Sequence, residues 1–595
     1  MKVADYIAQK LTEHNITEIF MVTGGGAMHL NNALGNHDKL NYHCFHHEQA
    51  CAIAAEGYAR ISNKIAVVLV TSGPGGTNAL TGVLGSWVDS IPMLVISGQV
   101  KQETTIASEP NLKLRQLGDQ EINIIDIVNP IVKYAQTITD KNSTQLEIDK
   151  AIFLSINGRP GPVWLDIPLD IQGADINLKE LCPFIPPPAI KYNTEVGKVL
   201  GYLKKAKRPL IIAGNGVRLA SAEEELRVLV ETHNIPIVTS ITGIDLIETD
   251  HPLFFGRPGI LGERAANFII QNCDLLIVIG TRLNLRVISY NWEYFAREAK
   301  KVVIDIDKAE LNKKTIVPYL KIHADAKGFL SDINKIKIEL PVNNQWLKYC
   351  NKIKLKYPTF NKSILKDNHF VSSYYFPRVL SSLIKPNSII VTGNGTAYTS
   401  TFQTINITRG LRVFANVGCA SMGYDLPASI GACIANNLEN EVVCITGDGS
   451  IQMNIQELQT IISKNLPIKI FMYNNGGYLS IRTTQKVYFD GKYVGESEKS
   501  GVSLPDMRKI AKAYGFKTFK ISKNSEVENS LPGILALQGP AFCEVMLDPH
   551  ETLGPKVSSQ VNDDGTILSK PLEDLAPFLP RKEFLDNMLI LPIND

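Results

Sequence analysis

Asp448, within Gly447-Asp448-Gly449-Ser450, and Asn475, within Asn474-Asn475-Gly476-Gly477, set a carboxylate and an amide oxygen in glycine-rich turns 27 positions apart. Each turn follows an apolar run, EVVCIT before the first and IKIFMY before the second, and IQMNIQELQTIIS between them has the pattern of a helix. One helix and one strand therefore separate the two side chains, which places both at the carboxyl edge of adjacent parallel strands. A hard cation there would find a carboxylate oxygen, an amide oxygen and a backbone carbonyl, and would share them with the oxygens of a diphosphate. Gly449 and Ser450 open the helix, so their N–H groups and its dipole face the same anion. The plain alternative is an ordinary βαβ unit in which Asp448 caps a helix and Asn475 belongs to an Asn-Gly turn.

Those two strands belong to a longer series. Ile65–Val70, Met93–Ile96, Leu210–Ala213, Leu275–Ile279, Ile389–Thr392, Val442–Ile445 and Ile468–Tyr473 are apolar runs that alternate with helical patterns, the mark of parallel α/β layers. Two composition breaks divide the chain: the connector CPFIPPPAIKYNTE, where Pro186, Pro187 and Pro188 favour extended backbone, and the polar stretch around Pro341–Pro358. The expected architecture is three doubly wound parallel-sheet α/β domains, at 1–182, 189–340 and 359–547, followed by a tail at 548–595. A length of 595 residues suits that number of cores. With 61 basic and 59 acidic side chains the net charge is only +2, which gives no electrostatic reason to expect nucleic acid or an anionic membrane as partner. The opening MKVADYIAQKLTEHNI reads as an amphipathic helix and not as a signal peptide, and no apolar run is long enough to span a bilayer. Nine cysteines without a CxxC pair, several of them in apolar runs (Cys273, Cys444, Cys543), read as buried thiols of a cytoplasmic protein.

The GDGS and NN turns at this spacing resemble the cofactor motif of the thiamine diphosphate family. The first unit is similar to the acetolactate synthases of that family over HHEQACAIAAEGYAR and TSGPGGTNALTGVLGSWVDSIPMLVISGQV. The resemblance implies thiamine diphosphate and Mg2+ as cofactors, with Asp448, Asn475 and Gly477 on the metal. It makes Glu48 the carboxylate that bonds the aminopyrimidine nitrogen and so readies removal of the C2 proton. Met422, in NVGCASMGYDLPASIGA, takes the place of a methionine that wedges between the two cofactor rings, where an unbranched thioether fills an angle without competing for hydrogen bonds. Gln120, in GDQE, matches a glutamine near the reacting carbons. Gly24, Gly25, Pro74, Asn78, Gly395, Thr396, Gly447, Gly449 and Ser450 complete the implied cofactor contacts. Family members build each site from the first unit of one chain and the third of its partner, which implies a homodimer or homotetramer.

In the middle unit the resemblance implies FAD, through Arg159, Gly214, Gly216 and Asp305, but a Gly-rich turn such as AGNGV serves equally as a tight βα connection. Biosynthetic members show RFDDR where this chain has Arg282-Leu283-Asn284-Leu285-Arg286, and Met and His where it has Arg257 and Leu261, so FAD binding stays open. A tryptophan that shapes the acceptor pocket is replaced by Thr484. Thr484 and Arg257 are expected to admit an acceptor larger than pyruvate, with Arg257 facing an anionic part of it, and Arg282 matches an arginine near the acceptor carboxylate. The alternative for Arg257 is a local ion pair with Glu263. NNxGYxSIRxTQ and KPLEDLAPFLPRKEF also look like homologues that accompany surface-polysaccharide genes. The implied function is a carboligase that decarboxylates pyruvate and passes the two-carbon unit to a carbonyl acceptor, a keto-sugar or a second 2-keto acid. A non-carboligating 2-keto acid decarboxylase or a flavin-linked oxidase is the alternative. A dinucleotide dehydrogenase is excluded by the missing GxGxxG spacing.

Overall fold

A computed structural model describes residues 1–341, 343–361, 365, 369–561 and 567–593. The chain folds into three parallel sheets. The first comprises β1 (Glu18–Met21), β2 (Asn41–Cys44), β3 (Ala66–Val70), β4 (Met93–Gln99), β5 (Ala135–Thr137) and β6 (Pro162–Pro168), in the order β2-β1-β3-β4-β6-β5. The second comprises β7 (Pro209–Ala213), β8 (Ile237–Thr239), β9 (Leu275–Ile279), β10 (Lys300–Asp305) and β11 (Leu320–His323), in the order β11-β10-β9-β7-β8. The third comprises β12 (Ile389–Thr392), β13 (Arg412–Phe414), β14 (Val442–Gly447), β15 (Ile468–Asn474), β16 (Lys517–Ile521) and β17 (Ala541–Met546), in the order β13-β12-β14-β15-β17-β16. Every apolar run singled out in the sequence is one of these strands, because a strand covered by helices on both faces has no polar side to show.

In each sheet the chain runs outward in one direction from its first strand and then returns to build the other side. The reversal falls between β1 and β3, between β7 and β9, and between β12 and β14. Crevices at the carboxyl ends of such paired strands are where open α/β sheets take ligands.

The first and third units share one core. The Glu48–Ser62 helix, rich in alanine, lies against the Asp425–Ala435 helix. Small residues let the backbones come together: a Cβ at Gly57 would strike the Ala428 carbonyl, and one at Gly431 the Ala54 carbonyl. Those pairings run the two helices antiparallel.

Two parts of the chain carry more structure than their composition suggests. The polar stretch expected as a linker contains the Asn344–Lys356 helix, which buries Trp346, Cys350 and Ile353, one apolar stripe at helical spacing, against the second unit. The tail also returns to that unit. Leu572 and Phe584 enter its core, and buried Glu573 accepts from Arg297 (2.8 Å) and Gln271 (2.6 Å). Cys273, Cys444 and Cys543 are buried free thiols. Among the described residues no helix is long and apolar enough to cross a membrane.

Candidate functional site

The third sheet's crevice is lined by the turns after β12, β14 and β15. Asp448 leaves the end of β14, 5% exposed, and its two oxygens accept the N–H groups of Gly449 (2.8 Å) and Gly477 (3.0 Å). Burial pushes its carboxyl up to about 6, against the pull of those backbone donors. Asn475 is equally buried, and its Nδ2 donates to Thr396 Oγ1 (3.2 Å) at the start of the Thr396–Thr404 helix. That bond turns Asn475 Oδ1 inward, where it is buried without a partner. A buried amide oxygen left unpaired is costly, and a cation beside Asp448 removes the cost at both groups. Among the described residues no cluster of three His, Cys, Asp or Glu could hold a metal, so a cation here depends on one carboxylate joined by amide and backbone oxygens.

The supporting turns are tightly built. Gly477 has φ +129°, and a side chain there would strike the Glu496 carbonyl; one at Gly449 would enter the Tyr478 ring. Gly395, at φ +62°, turns the chain into the Thr396 helix. Arg482 is a functional residue that reasoning from the sequence missed. Its guanidinium donates to the carbonyls of Asn475 (3.3 Å), Gly476 (3.0 Å) and Pro549 (2.5 Å), which fastens the asparagine turn from below. Its place in the SIR of NNxGYxSIRxTQ was the available signal. Ser450 differs from expectation: its hydroxyl donates to Asp425 (2.8 Å) and accepts from the Gly423 N–H (2.9 Å), so only its backbone can face an anion. The expected helix after it is also divided, a 3-10 turn at Ile451–Asn454 followed by an α-helix at Glu457–Ser463.

The first sheet's crevice offers a different set. Glu48 opens the Glu48–Ser62 helix, half-buried, and accepts from Asn78 Nδ2 (3.0 Å); His47 caps the helix by accepting the Gln49 N–H (3.1 Å). Gly24 follows β1 close to Thr71, Gly25 comes next with open space where a side chain would stand, and exposed Pro74 begins the short Pro74–Asn78 helix. Gln120 is exposed at φ +62°, its carbonyl against Gly73. Met422 is half-buried and lies outside the packed cores, in a loop tied down by Asn394 donating to the Ala420 carbonyl and by Asn454 donating to the Gly423 carbonyl (2.8 Å).

Within one chain, Glu48 and Asp448 do not meet. Ser450 holds Asp425 at one end of the antiparallel helix pair, beside Arg60, whereas Glu48 stands at the other end. Twelve residues of helix separate those ends, about 18 Å at ~1.5 Å per residue.

Three family models match along the chain: the thiamine pyrophosphate enzyme N-terminal TPP binding domain at residues 1–124, the central domain at 196–333 and the C-terminal TPP binding domain at 393–545. Acetolactate synthase 1 (chloroplastic) of Oryza sativa subsp. japonica is 32% identical over 94% of this chain and 86% of its own. The acetolactate synthase isozyme 2 large subunit of Escherichia coli K12 is 32% identical over 94% and 97%, and a probable acetolactate synthase large subunit of Methanocaldococcus jannaschii is 32% identical over 93% of each. The chain belongs to the acetolactate synthase-like family of thiamine pyrophosphate enzymes. Its two TPP-binding domains are the first and third units, which contain the crevices just described.

The central domain of this thiamine pyrophosphate enzyme holds a cavity of about 410 Å³ at the carboxyl ends of β7, β9 and β10, lined by Gly216, Arg282, Asp305 and, from the first unit, Arg159. Arg159 pairs with Asp307 (3.0 Å) and Glu310 (2.9 Å), and burial pushes Asp305 up to about 6. Gly214 lies behind the lining, against Thr281. Arg282 faces the cavity with Asp89 3.8 Å away.

The three residues expected toward the acceptor have different surroundings. Arg257 is 3% exposed, pairs with Glu263 (2.9 Å) and donates to Thr249 (3.3 Å). The expectation that it faces an acceptor is corrected: an arginine this deep must spend its charge on a local carboxylate, and Glu263 is that carboxylate. Thr484 is exposed on the Leu479–Tyr488 helix with its hydroxyl donated to the Ser480 carbonyl (3.0 Å).

Proposed function

We propose that this enzyme is a thiamine diphosphate- and magnesium-dependent carboligase that decarboxylates pyruvate and transfers the two-carbon unit to a carbonyl acceptor, a keto-sugar or a second 2-keto acid. The observation that carries the reading is the unpartnered Asn475 Oδ1 buried beside Asp448, a vacancy in hydrogen bonding that an oxygen-seeking cation fits. Asp448, Asn475 and Gly477 hold the magnesium. The backbone around Gly395, Thr396, Gly447, Gly449 and Ser450 would receive the diphosphate, and Met422 would pack against the cofactor's rings. When bound, thiamine diphosphate supplies the electron sink that lets a 2-keto acid lose CO2 and add its remaining two carbons to a carbonyl. Glu48, which accepts from Asn78, would bond the aminopyrimidine nitrogen and hold the proton shared with it; Gly24, Gly25 and Pro74 would shape the walls there, and Gln120 would lie toward the substrate.

The helix length of about 18 Å that sets Glu48 apart from the end where Ser450 holds Asp425 supports a homodimer or homotetramer in which Glu48 of one chain and Asp448 of another complete each site. The central cavity, at a strand-order reversal and with Asp305 at the tip of β10, supports FAD held by Arg159, Gly216 and Asp305, with Gly214 behind them shaping the turn. That same cavity favours a second reading, a flavin-linked oxidase or a simple decarboxylase of 2-keto acids. Arg282 and Thr484 are the residues proposed toward the acceptor, and a cytoplasmic location goes with the reading.

Mass spectrometry of groups released from the purified protein, followed by incubation with pyruvate alone and with added keto-sugar, tests this. Thiamine diphosphate in the protein and a product two carbons longer than the acceptor are expected. Peroxide or free acetaldehyde from pyruvate, with no ligated product under either condition, would replace the carboligase with the second reading.

A further inference from the structure

Most deeply buried acids of this chain stand beside an arginine: Glu56 and Asp89 beside Arg60, Asp245 beside Arg218 and Arg412, Glu263 beside Arg257, Glu573 beside Arg297. Glu457 is also completely buried, yet it pairs with no arginine or lysine: its hydrogen-bond partners are a hydroxyl and a backbone N–H, and the charges felt from His46 and His47 come from the first unit. At the start of the Glu457–Ser463 helix in the third unit, its Oε2 accepts from Thr460 Oγ1 (2.5 Å). Its Oε1 reaches across to the first unit and accepts the backbone N–H of His46 (3.1 Å). Burying a carboxyl with no arginine or lysine beside it costs stability, and packing alone at this position would be met by an apolar side chain. The polar group is explained by what it grips.

His46 lies two residues before Glu48, and His47 caps the helix that Glu48 opens. A bond to the His46 N–H therefore sets the turn that delivers Glu48. The Cys51 thiol, one helical turn on, is pushed well up by burial and then by both Glu457 and Glu48, which places the two carboxyls around the same side chain.

We propose that Glu457 is a positioning residue for Glu48, a carboxyl of the third unit that fixes where the first unit's activating carboxylate stands. The proposal rests on the reading of Glu48 given under the proposed function. It also gives the segment from Asp448 to Glu457 two duties. In an assembly that joins the first unit of one chain to the third of another, Asp448 anchors one cofactor while Glu457, nine positions on, steadies the carboxylate that serves the other.

The test compares Glu457→Ala, Glu457→Gln and Glu48→Gln in the full-length protein loaded with thiamine diphosphate and Mg2+, reading cofactor affinity by titration and proton exchange at the bound cofactor's C2 by quenched-flow NMR. A carboxylate displaced by about 1 Å loses on the order of 100-fold in a proton-transfer step. Glu457→Ala is therefore expected to slow exchange about 10–100-fold while cofactor affinity stays within about 3-fold. Glu457→Gln restores exchange, because its amide oxygen still accepts from His46 and its NH2 can donate to Thr460. If Glu457→Ala does not fold, Glu457→Asp, too short to reach His46 but able to keep Thr460, takes its place with the same expected slowing. Unchanged exchange in Glu457→Ala or Glu457→Asp, with Glu48→Gln slowed, overturns the positioning role alone. Unchanged exchange in Glu48→Gln overturns the reading of Glu48 and the positioning role with it. Equal losses in Glu457→Ala and Glu457→Gln also overturn it, since the lost feature would then be charge and not the bond to His46.

Discussion

The first and third units have the same strand order, with the first-built strand second from one edge and the reversal beside it. Their crevices differ in finish. In the third unit Asp448 and Asn475 are each 5% exposed, and three of their four side-chain polar atoms are engaged by Gly449, Gly477 and Thr396. In the first unit Glu48 is half-buried with one side-chain partner, Asn78, and its neighbours Pro74 and Gln120 are exposed. One topology thus carries a crevice whose polar atoms are mostly engaged within the chain and a carboxylate left half open. A metal anchor gains from rigidity before binding, because its oxygens are then already stripped of water and aimed. An activating carboxylate gains its strength only when the cofactor and a second wall exclude solvent around it.

The largest effect expected from this contrast is on chemistry at Glu48. Glu48→Gln keeps the shape of the side chain and its bond to Asn78, so the protein should fold and bind cofactor. Proton exchange at C2 should fall about 10²–10⁴-fold, the usual contribution of a positioned acid-base group. Exchange at the normal rate would remove Glu48 from the site and with it the division of labour between the crevices. Asp448→Ala should act in the opposite manner. It strips the acceptor from two buried N–H groups, at about 1–3 kcal/mol each, so the cofactor-free protein should already melt at lower temperature. Cofactor affinity at low magnesium should drop on the order of 10–100-fold, as when a metal site loses an orienting oxygen. Calorimetric titration and thermal unfolding of both variants, side by side, separate a binding defect from a catalytic one. An Asp448→Ala protein that binds cofactor normally at micromolar magnesium would place the anchor elsewhere.

The helix pair that joins the two units gives a smaller, structural test. A methyl group at Gly431 would collide with the Ala54 carbonyl, and overpacking of this kind costs about 1–3 kcal/mol. Gly431→Ala should lower the denaturant midpoint by a corresponding amount. Unchanged stability would mean that the two units slide past one another, and the 18 Å separation argued from their register would lose its footing.

What could be read in advance follows the same physics. The seven apolar runs were visible because doubly covered strands have no polar face, and Asp448 and Asn475 because one helix and one strand fix their spacing. Arg482 was hidden because its ion pair with Glu496 joins residues 14 positions apart across a loop, and its other acceptors are the carbonyls of Asn475, Gly476 and Pro549, which no residue type announces. Arg257 was misjudged for a related reason: comparison of residue types made it a pocket cation, whereas burial decided that it pairs with Glu263. The Asn344–Lys356 helix was obscured by its lysines, although Trp346, Cys350 and Ile353 kept the helical stripe. Polar composition reports the outer face of a helix and says little about the inner one.

Thr484 yields the smallest expected effect, and the one that bears on what the open crevice is for. Its side chain is exposed, and its hydroxyl is satisfied by the Ser480 carbonyl within its own helix. A change there leaves packing alone, so Thr484→Trp should shift stability by no more than about 0.5 kcal/mol. Exposed Ile481, one turn earlier on the same helix, and exposed Val487 and Phe489 near its end show that this flank of the third unit has apolar surface for an indole to join. If Thr484 borders the route to the acceptor, the indole narrows that route. Transfer to a keto-sugar should then fall several-fold relative to self-condensation of pyruvate, since a hydrophobic wall discriminates by only about 1–3 kcal/mol per steric step. With Arg257 withdrawn into its ion pair, Arg282 is the proposed cation that remains for a carboxylate or phosphate on the acceptor, and Asp89 at 3.8 Å holds it loosely enough to turn. Product ratios measured with both acceptors present, for wild type and Thr484→Trp, decide the point. An unchanged ratio would take Thr484 off the acceptor route and leave the choice of acceptor to residues around Arg282 and Glu48.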